Sequence, residues 1–322
     1  MPARYLRETV VLSKIESTYG VDSAPTEAAN AVLVSDVSIT PVNADNVDRS
    51  LIRGYMGASE QLVGSNYVAL SFAVELAGSG SAGTAPAYGH LLRACGLSET
   101  VTASVRTEYN LATPVTDSVT VYYFCAGVKY VAKGCRGNVR FSLPVSGRPK
   151  MEFTLLGIDG GATATTPSAT TLTAYKTPAL VTDANTGDIT LGCTYTAATP
   201  TLTGGTGYPS QGIELDLGNA VAFTPLLGGE TVDISDRALS GTLTLDLTAA
   251  QEVSFLAGVK ANTTQSIGLM HGTTAGYKVM LFLPSAQLIN PQRADVSGKL
   301  LQTYTLRGLP TSGNDEFKLV IH

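Results

Sequence analysis

Alternation of apolar and polar positions is clearest between Tyr67 and Leu76, where Val68, Leu70, Phe72, Val74 and Leu76 share one face and Ala69, Ser71, Ala73 and Glu75 the other. An unbroken period of two predicts a strand with one buried face. Met151–Ile158 carries a second such pattern, and it recurs without a gap at Gln302–Leu309. Phe153 then falls on Tyr304, Thr154 on Thr305, Leu155 on Leu306, Gly157 on Gly308 and Ile158 on Leu309. The preceding sequence pairs up in the same order. Leu239, Leu243, Leu245 and Leu247 alternate with Thr242, Thr244 and Asp246 as an echo of Tyr67–Leu76, with Asp246 matching Glu75. Ala275-Gly-Tyr-Lys278 mirrors Ala126-Gly-Val-Lys129. Repetition in order over this span predicts a duplicated structural unit.

Further strands are predicted at Ala31–Ile39, stopped by Pro41, and at Val119–Cys125, Val128–Val131, Val139–Leu143, Lys150–Ile158, Ile213–Leu217, Val279–Leu283 and Leu300–Leu309. Helical spacing is confined to two short stretches. Tyr88, Leu91, Leu92 and Cys95 fall on one face with Gly96 as a stop, and Thr248-Ala-Ala-Gln251 has the spacing of a capping box before a helix ended by Gly258. Three stretches lack periodicity. Met1–Asn30 reads as an arm that frays or docks, Asn43–Gly64 as a polar insertion too long for an idle hairpin, and Asp159–Gly212 as a Thr-, Ala- and Gly-rich connection with a possible hairpin around Asn185-Thr-Gly187. The expected organisation is an arm at 1–30, a first domain at 31–160, a linker with a possible hairpin at 161–212 and a second domain at 213–322. The fold class is mainly β: two tandem sandwich or barrel domains, each with a short flanking α-helix.

Composition agrees with this pattern and narrows the function. At 322 residues and 44% apolar, the chain is long enough for two ordinary domains and too apolar for disorder. The net charge of −5 and the scattering of 21 basic residues give no footprint for gripping nucleic acid or an anionic membrane. No stretch approaches the roughly 20 apolar residues of a membrane span. No signal-like start is evident, so the protein is expected to stay where it is made. Cys95, Cys125, Cys135 and Cys193 form no Cys-x-x-Cys pair and read as reduced thiols. Cys125 and Cys135 could face each other across a hairpin.

Several motifs suggest chemistry and lack its context. Gly78-Ser-Gly80-Ser-Ala-Gly83 fits the dinucleotide pattern G-x-G-x-x-G after a strand, but Thr84-Ala-Pro86 intervenes and no long helix follows, so a flexible loop is expected. Asp183-Ala-Asn-Thr-Gly-Asp188 lacks the spacing and distal glutamate of a calcium loop and reads as a turn. His90, His271 and His322 are the only histidines, and no G-x-S-x-G elbow accompanies any serine. Asn262-Thr-Thr is a glycosylation sequon without a secretory context. No active site, cofactor site or metal site assembles. A long interaction loop and an arm without catalytic residues point instead to self-assembly.

Thr18-Tyr-Gly-Val-Asp22, Val32-Leu-Val34 through Ser38-Ile-Thr-Pro41, Glu75-Leu-Ala-Gly-Ser-Gly80, Thr84-Ala-Pro-Ala-Tyr88-Gly and Leu91-Leu-Arg-Ala-Cys95-Gly-Leu together resemble tail tube proteins of long-tailed bacteriophages and prophages. The resemblance resumes at Leu217-Gly-Asn219, Asp236-Arg237, His271-Gly-Thr-Thr-Ala-Gly276 and Leu309-Pro through Gly313-Asn-Asp315-Glu316, and so covers most of the chain.

That resemblance implies a structural virion protein, not an enzyme, made in the bacterial host cytoplasm and built into the tail. Its rings would stack around a tape-measure protein and later conduct double-stranded DNA without binding it specifically. Tail terminator and distal tail proteins would be further partners, with no cofactor and no membrane. Single-domain relatives form hexameric rings, so a chain carrying the unit twice implies a homotrimer with pseudo-sixfold symmetry. In the family the long loop between early strands contacts the neighbouring ring. Here that loop is Asn43–Gly64, with Phe223–Asp233 as its shorter counterpart, and Asp45, Asp48, Arg49, Arg53 and Glu60 are the candidate contacts between rings or subunits. Arg49 and Arg53 are preferred because charge-assisted bonds fix register. The alternative is a two-domain β-sandwich binding or decoration protein that forms no tube. The absence of Trp disfavours a sugar-binding platform.

Overall fold

A computed structural model describes Tyr5 and residues 7–322. The chain is mainly β, with large antiparallel sheets and three short helices among the described residues. Its central feature is a run of eight consecutively hydrogen-bonded strands. Ser35–Asp48 pairs with Gln61–Glu75, which pairs with Lys150–Ala164 and then with Val128–Pro144. Val128–Pro144 continues into Ser210–Asp216, followed by Ser240–Leu245, Lys299–Gly308 and Val279–Val296.

The last four strands repeat the pairing of the first four. Phe72 faces Phe153 as Leu243 faces Tyr304, and Ser71 faces Thr154 as Thr242 faces Thr305. Both sets also shift register in their first strand, at Ser35/Ser38 and at Ser210/Ile213. Positive φ marks the two bulges, +52° at Asp36 and +95° at Gly212.

One face of this sheet is apolar. Phe72, Phe141, Phe153, Leu155, Leu215, Leu243, Tyr304 and Leu306 are all within 2% of full burial. They belong to one contiguous core that spans both halves, with Phe141 and Phe317 stacked at 5.1 Å. The opposite face carries Ser38, Thr40, Ser71, Asn138, Arg140, Glu152, Thr154, Glu214, Asp216, Thr242 and Thr305, none of them buried.

A second layer covers the apolar face. The N-terminal half of Val128–Pro144 pairs with Val119–Cys125 while still bonded to Lys150–Ala164, and that of Val279–Val296 leaves Lys299–Gly308 to pair with Thr264–His271. Thr9–Ile15 adds to Val119–Cys125, so this part of the arm is docked. Lys318–Ile321 bonds Val279–Phe282 on one side and Thr107–Asn110 on the other, which ties the C-terminus into the first half. Helix Gly89–Ala94 buries Leu91 and Leu92, and Gly96 at φ +84° turns the chain out of it. Helix Ala249–Lys260 begins with the expected capping box and buries no residue fully. Its Phe255 sits between Tyr208 and Tyr304 at 5.3 and 5.7 Å.

Several expectations are corrected. Pro41 does not stop its strand. It lies where the register shifts between Thr40 and Asn43, and a bulge tolerates the missing N–H. Asn43–Gly64 is not one loop, because its ends are paired strand and only residues 49–60 lie outside. The second helix runs through Gly258 to Lys260. No hairpin forms around Asn185-Thr-Gly187, where a turn leads to Ile189–Leu191, a strand that pairs with Thr206–Tyr208. Cys125 faces Val128 and Cys135 faces Val119, so these two thiols are not opposed. None of the four cysteines is in a disulfide.

Candidate assembly surface

The seam between the two halves shows what this sheet accepts at an edge. Pro144, Leu143, Ser142, Phe141 and Arg140 pair in order with Gly212, Ile213, Glu214, Leu215 and Asp216. On the polar face Arg140 bonds Glu214, and Asn138 Nδ2 donates to Asp216 Oδ1 at 2.6 Å. Asn219, just past the seam, donates through Nδ2 to the carbonyl of Cys95 at the end of the first helix (2.7 Å) and to that of Gly137 (3.0 Å). Its backbone N–H reaches Asn138 Oδ1 at 3.0 Å. Gly212 is required by contact as well as by φ, since a Cβ there would lie 2.0 Å from Leu143 O.

From Asn219 the chain rises into the hairpin Asn219–Leu226/Gly229–Arg237, closed by Leu227-Gly228. This hairpin is docked on the first half. Phe223 stacks on Tyr67 at 5.1 Å. Arg136, 8% exposed, donates to Val232 O (3.0 Å) and Asp233 Oδ1 (2.6 Å) while its guanidinium lies 4.6 Å over the Tyr19 ring. The Tyr19 hydroxyl accepts the Val232 N–H at 2.5 Å. Glu16 anchors the Tyr19 segment by accepting from Gly20 N, Ser118 Oγ, Thr120 Oγ1 and Gly134 N at 2.6–2.9 Å.

The equivalent hairpin of the first half, 42–48 with 61–67, is held only at its base, by Tyr67 against Phe223 and by Asn66 Nδ2 donating to Asp159 at 2.9 Å, and beyond it exposes Val42, Val47, Leu62 and Val63. Its connection, residues 49–60, replaces a two-residue turn and exposes Leu51, Ile52, Tyr55 and Met56, Ile52 and Met56 completely. Among the proposed contacts, Asp48, Arg49 and Glu60 meet at the base of the loop. Arg49 pairs with Glu60, and Gln61 Nε2 donates to Asp48 at 2.6 Å. Asp45 is exposed on the strand, and Arg53 stands apart in the loop, 6.0 Å from the centre of the Tyr55 ring. The apolar residues of this loop were hidden in the sequence by the polar ones between them. The roles of Tyr19, Arg136 and Asn219 depend on contacts 82 to 213 positions away, which no local pattern signals.

The sheet has two unpaired margins. Among the described residues, Ser35–Asp48 bonds only Gln61–Glu75, and beyond Gln287 the strand Val279–Val296 bonds only Lys299–Gly308. A sheet edge is a row of free N–H and C=O groups, and charge is a common means of keeping it soluble. Arg293 and Asp295 stand on the second margin at the places that Phe141 and Leu143 occupy in the seam.

The chemistry-bearing motifs are absorbed by packing. A Cβ on Gly78 would lie 2.1 Å from Gly276 O, and Gly80 N–H donates to that same carbonyl at 3.0 Å. The glycine-rich stretch is therefore a backbone-to-backbone contact between the halves, not a flexible loop. His271 uses both ring nitrogens, Nε2 on Ala179 O (3.2 Å) and Nδ1 on the Thr186 hydroxyl (2.8 Å). Burial drives the Cys95 and Cys135 thiols well above the ordinary thiol range, which makes them poor nucleophiles. Among the described residues, no group of three or more His, Cys, Asp or Glu side chains is placed to hold a metal ion, and no helix is long and apolar enough to cross a membrane.

A sequence model of the phage tail tube protein family matches residues 7–308, a span that takes in both hairpins, the seam and both open margins. The chain belongs to the phage tail tube protein family. No curated protein matches it. Membership makes the chain a structural component of the virion tail, one that self-assembles into a tube and meets other tail proteins.

Proposed function

We propose that three copies of this chain close into a ring with pseudo-sixfold symmetry and that rings stack into the tail tube. Each copy contributes two tube units, 31–160 and 213–322, joined through 161–212, with 1–30 as an arm. The observation that carries this reading is the run of eight strands, continuous through the seam yet open among the described residues along Ser35–Asp48 and along Val279–Val296 beyond Gln287. Three such sheets joined margin to margin make 3 × 8 = 24 strands. At about 4.8 Å between strands and a tilt near 40°, that barrel is on the order of 50 Å across at the backbone.

The polar face would line the bore. It carries both signs of charge and many hydroxyls, and the chain has a net charge of −5, so passing DNA would meet no continuous basic track to hold it. The same bore would first enclose the tape-measure protein, and the tube ends would meet the terminator and distal tail proteins. Ring-to-ring contact is assigned to residues 49–60 with Asp45, Asp48, Arg49, Arg53 and Glu60 at its base and tip. No enzymatic role is proposed. Negative-stain electron microscopy of the purified protein tests the reading. Rings or tubes support it, whereas monodisperse single particles at all concentrations favour a decoration or binding protein.

A further inference from the structure

We infer that the ring closes in one strand register, with Val37, Ser38, Ile39 and Thr40 of one copy opposite Asp295, Ala294, Arg293 and Gln292 of the next, and with Asn43 clamping the end of the next copy's helix Ala249–Lys260. The inference rests on the ring reading above and adds the residues that join the copies.

The internal seam supplies the template. Ile213, Glu214, Leu215 and Asp216 pair with Leu243, Thr242, Gly241 and Ser240 in the second half. Ser38, Ile39 and Thr40 occupy the same places against Ser71, Leu70 and Ala69 in the first, with Val37 just before them at the end of the bulge. Likewise Phe141 faces Met151 and Ser142 faces Lys150, while Arg293 faces Gln302 and Ala294 faces Leu301. Transferring the pairs Ile213–Leu143 through Asp216–Arg140 onto the open margins gives the register stated.

One seam pair does not transfer. Asp36 stands where Gly212 approaches Leu143 O so closely that a Cβ would lie at 2.0 Å, so the intermolecular ladder starts at Val37. The side chains also differ in kind. The seam buries Phe141 and Leu143 for good, whereas Arg293 and Asp295 keep the free margin hydrated until a second copy arrives.

Asn43 follows Val37 by six residues, as Asn219 follows Ile213, and in the single chain its side chain makes no hydrogen bond to a described residue. Asn219 grips Cys95 O, the helix C-cap, and Gly137 O. Leu288 holds the place of Gly137, facing Leu306 as Gly137 faces Leu155, and Ala261 is the C-cap of the second helix. That helix end lies beside the strand, since Gln287 Nε2 donates to Asn262 Oδ1 at 3.2 Å. The carbonyls of Ala261 and Leu288 are thus the acceptors for a neighbour's Asn43.

Cysteine cross-linking of assembled protein tests the register. Ser38→Cys combined with Ala294→Cys is expected to form an interchain disulfide on mild oxidation. Ser38→Cys combined with Gln292→Cys, Asp295→Cys or Val296→Cys should do so at least about tenfold less, because Asp295 turns to the other face and Gln292 and Val296 lie a diagonal step away along the strand. Assembled rings that cross-link best through one of those three overturn the register and leave the ring reading intact. Wild-type protein that never assembles overturns both. For the clamp, Asn43→Ala should weaken assembly by about tenfold or more while leaving the unfolding midpoint of the unassembled chain unchanged. Unchanged assembly of Asn43→Ala contradicts the clamp.

Discussion

Arg136 concentrates much of what holds the second half's hairpin to the first. It donates to Asp117 O, Thr116 O, Val232 O and Asp233, and it covers the Tyr19 ring. Arg136→Ala should cost on the order of 2–4 kcal/mol in chemical denaturation, because several hydrogen bonds to a charged group and a cation–π contact are lost together. Asn219→Ala strands the carbonyls of Cys95 and Gly137 and should cost about 1–3 kcal/mol. His90 gives a pH signature. Burial, reinforced by the nearby Arg93 charge, lowers it to about 4 from an ordinary 6.5. Between those values the unfolded chain takes up a proton that the folded chain refuses, so stability falls as pH drops from about 6.5 to about 4 and then levels off. The loss is on the order of 3 kcal/mol. His271 and His322 are shifted in the same direction by burial. A stability profile that stays flat over this range in wild type would contradict the assignment, and His90→Gln should flatten part of it.

At the scale of elements, the two hairpins are a controlled comparison inside one molecule. One ends in Leu227-Gly228 and is docked, and the other ends in residues 49–60 and is not. Replacing 49–60 with a Leu-Gly turn should leave the folded chain within about 1 kcal/mol of wild type, since the loop makes only exposed contacts such as the Arg49–Glu60 pair. Rings should still form, but stacking into tubes should fail. Arg49→Glu with Arg53→Glu should impair stacking in the same way, and normal tubes from that variant would return the loop to a merely solvated role. The elements readable from sequence were those with an unbroken period or a local cap. Tyr67–Leu76 shows the first, Thr248–Gln251 the second, and Phe153, Leu155, Tyr304 and Leu306 lie on the buried face that their alternation implies. Elements with irregular backbone or distant partners stayed hidden. Bulges at Ser35/Ser38 and Thr40/Asn43 break the alternation around Pro41, so the sequence pattern ends before the strand does. The hairpin Leu97–Thr102/Arg106–Leu111 is polar along much of its length and gains its place from the C-terminal strand Lys318–Ile321. Asp45, Asp48, Arg49, Arg53 and Glu60 were legible as a charged loop, whereas the exposed apolar residues among them and the clamp at Asn219 needed the fold.

For the whole molecule, one core runs through both halves, the seam strands pair across them, and the C-terminal strand returns to the first half. Unfolding should therefore be a single cooperative transition rather than two, and calorimetry resolving two separate transitions would contradict this. Each open margin carries a ladder of backbone groups that water satisfies in the single chain and that a neighbouring edge would satisfy in the proposed ring. Cryo-electron microscopy of assembled tubes measures the central claim directly, through the number of chains in one ring. Three chains around a barrel of twenty-four strands, with alternating long and short hairpins, is the predicted result. A ring of six complete chains would contradict it.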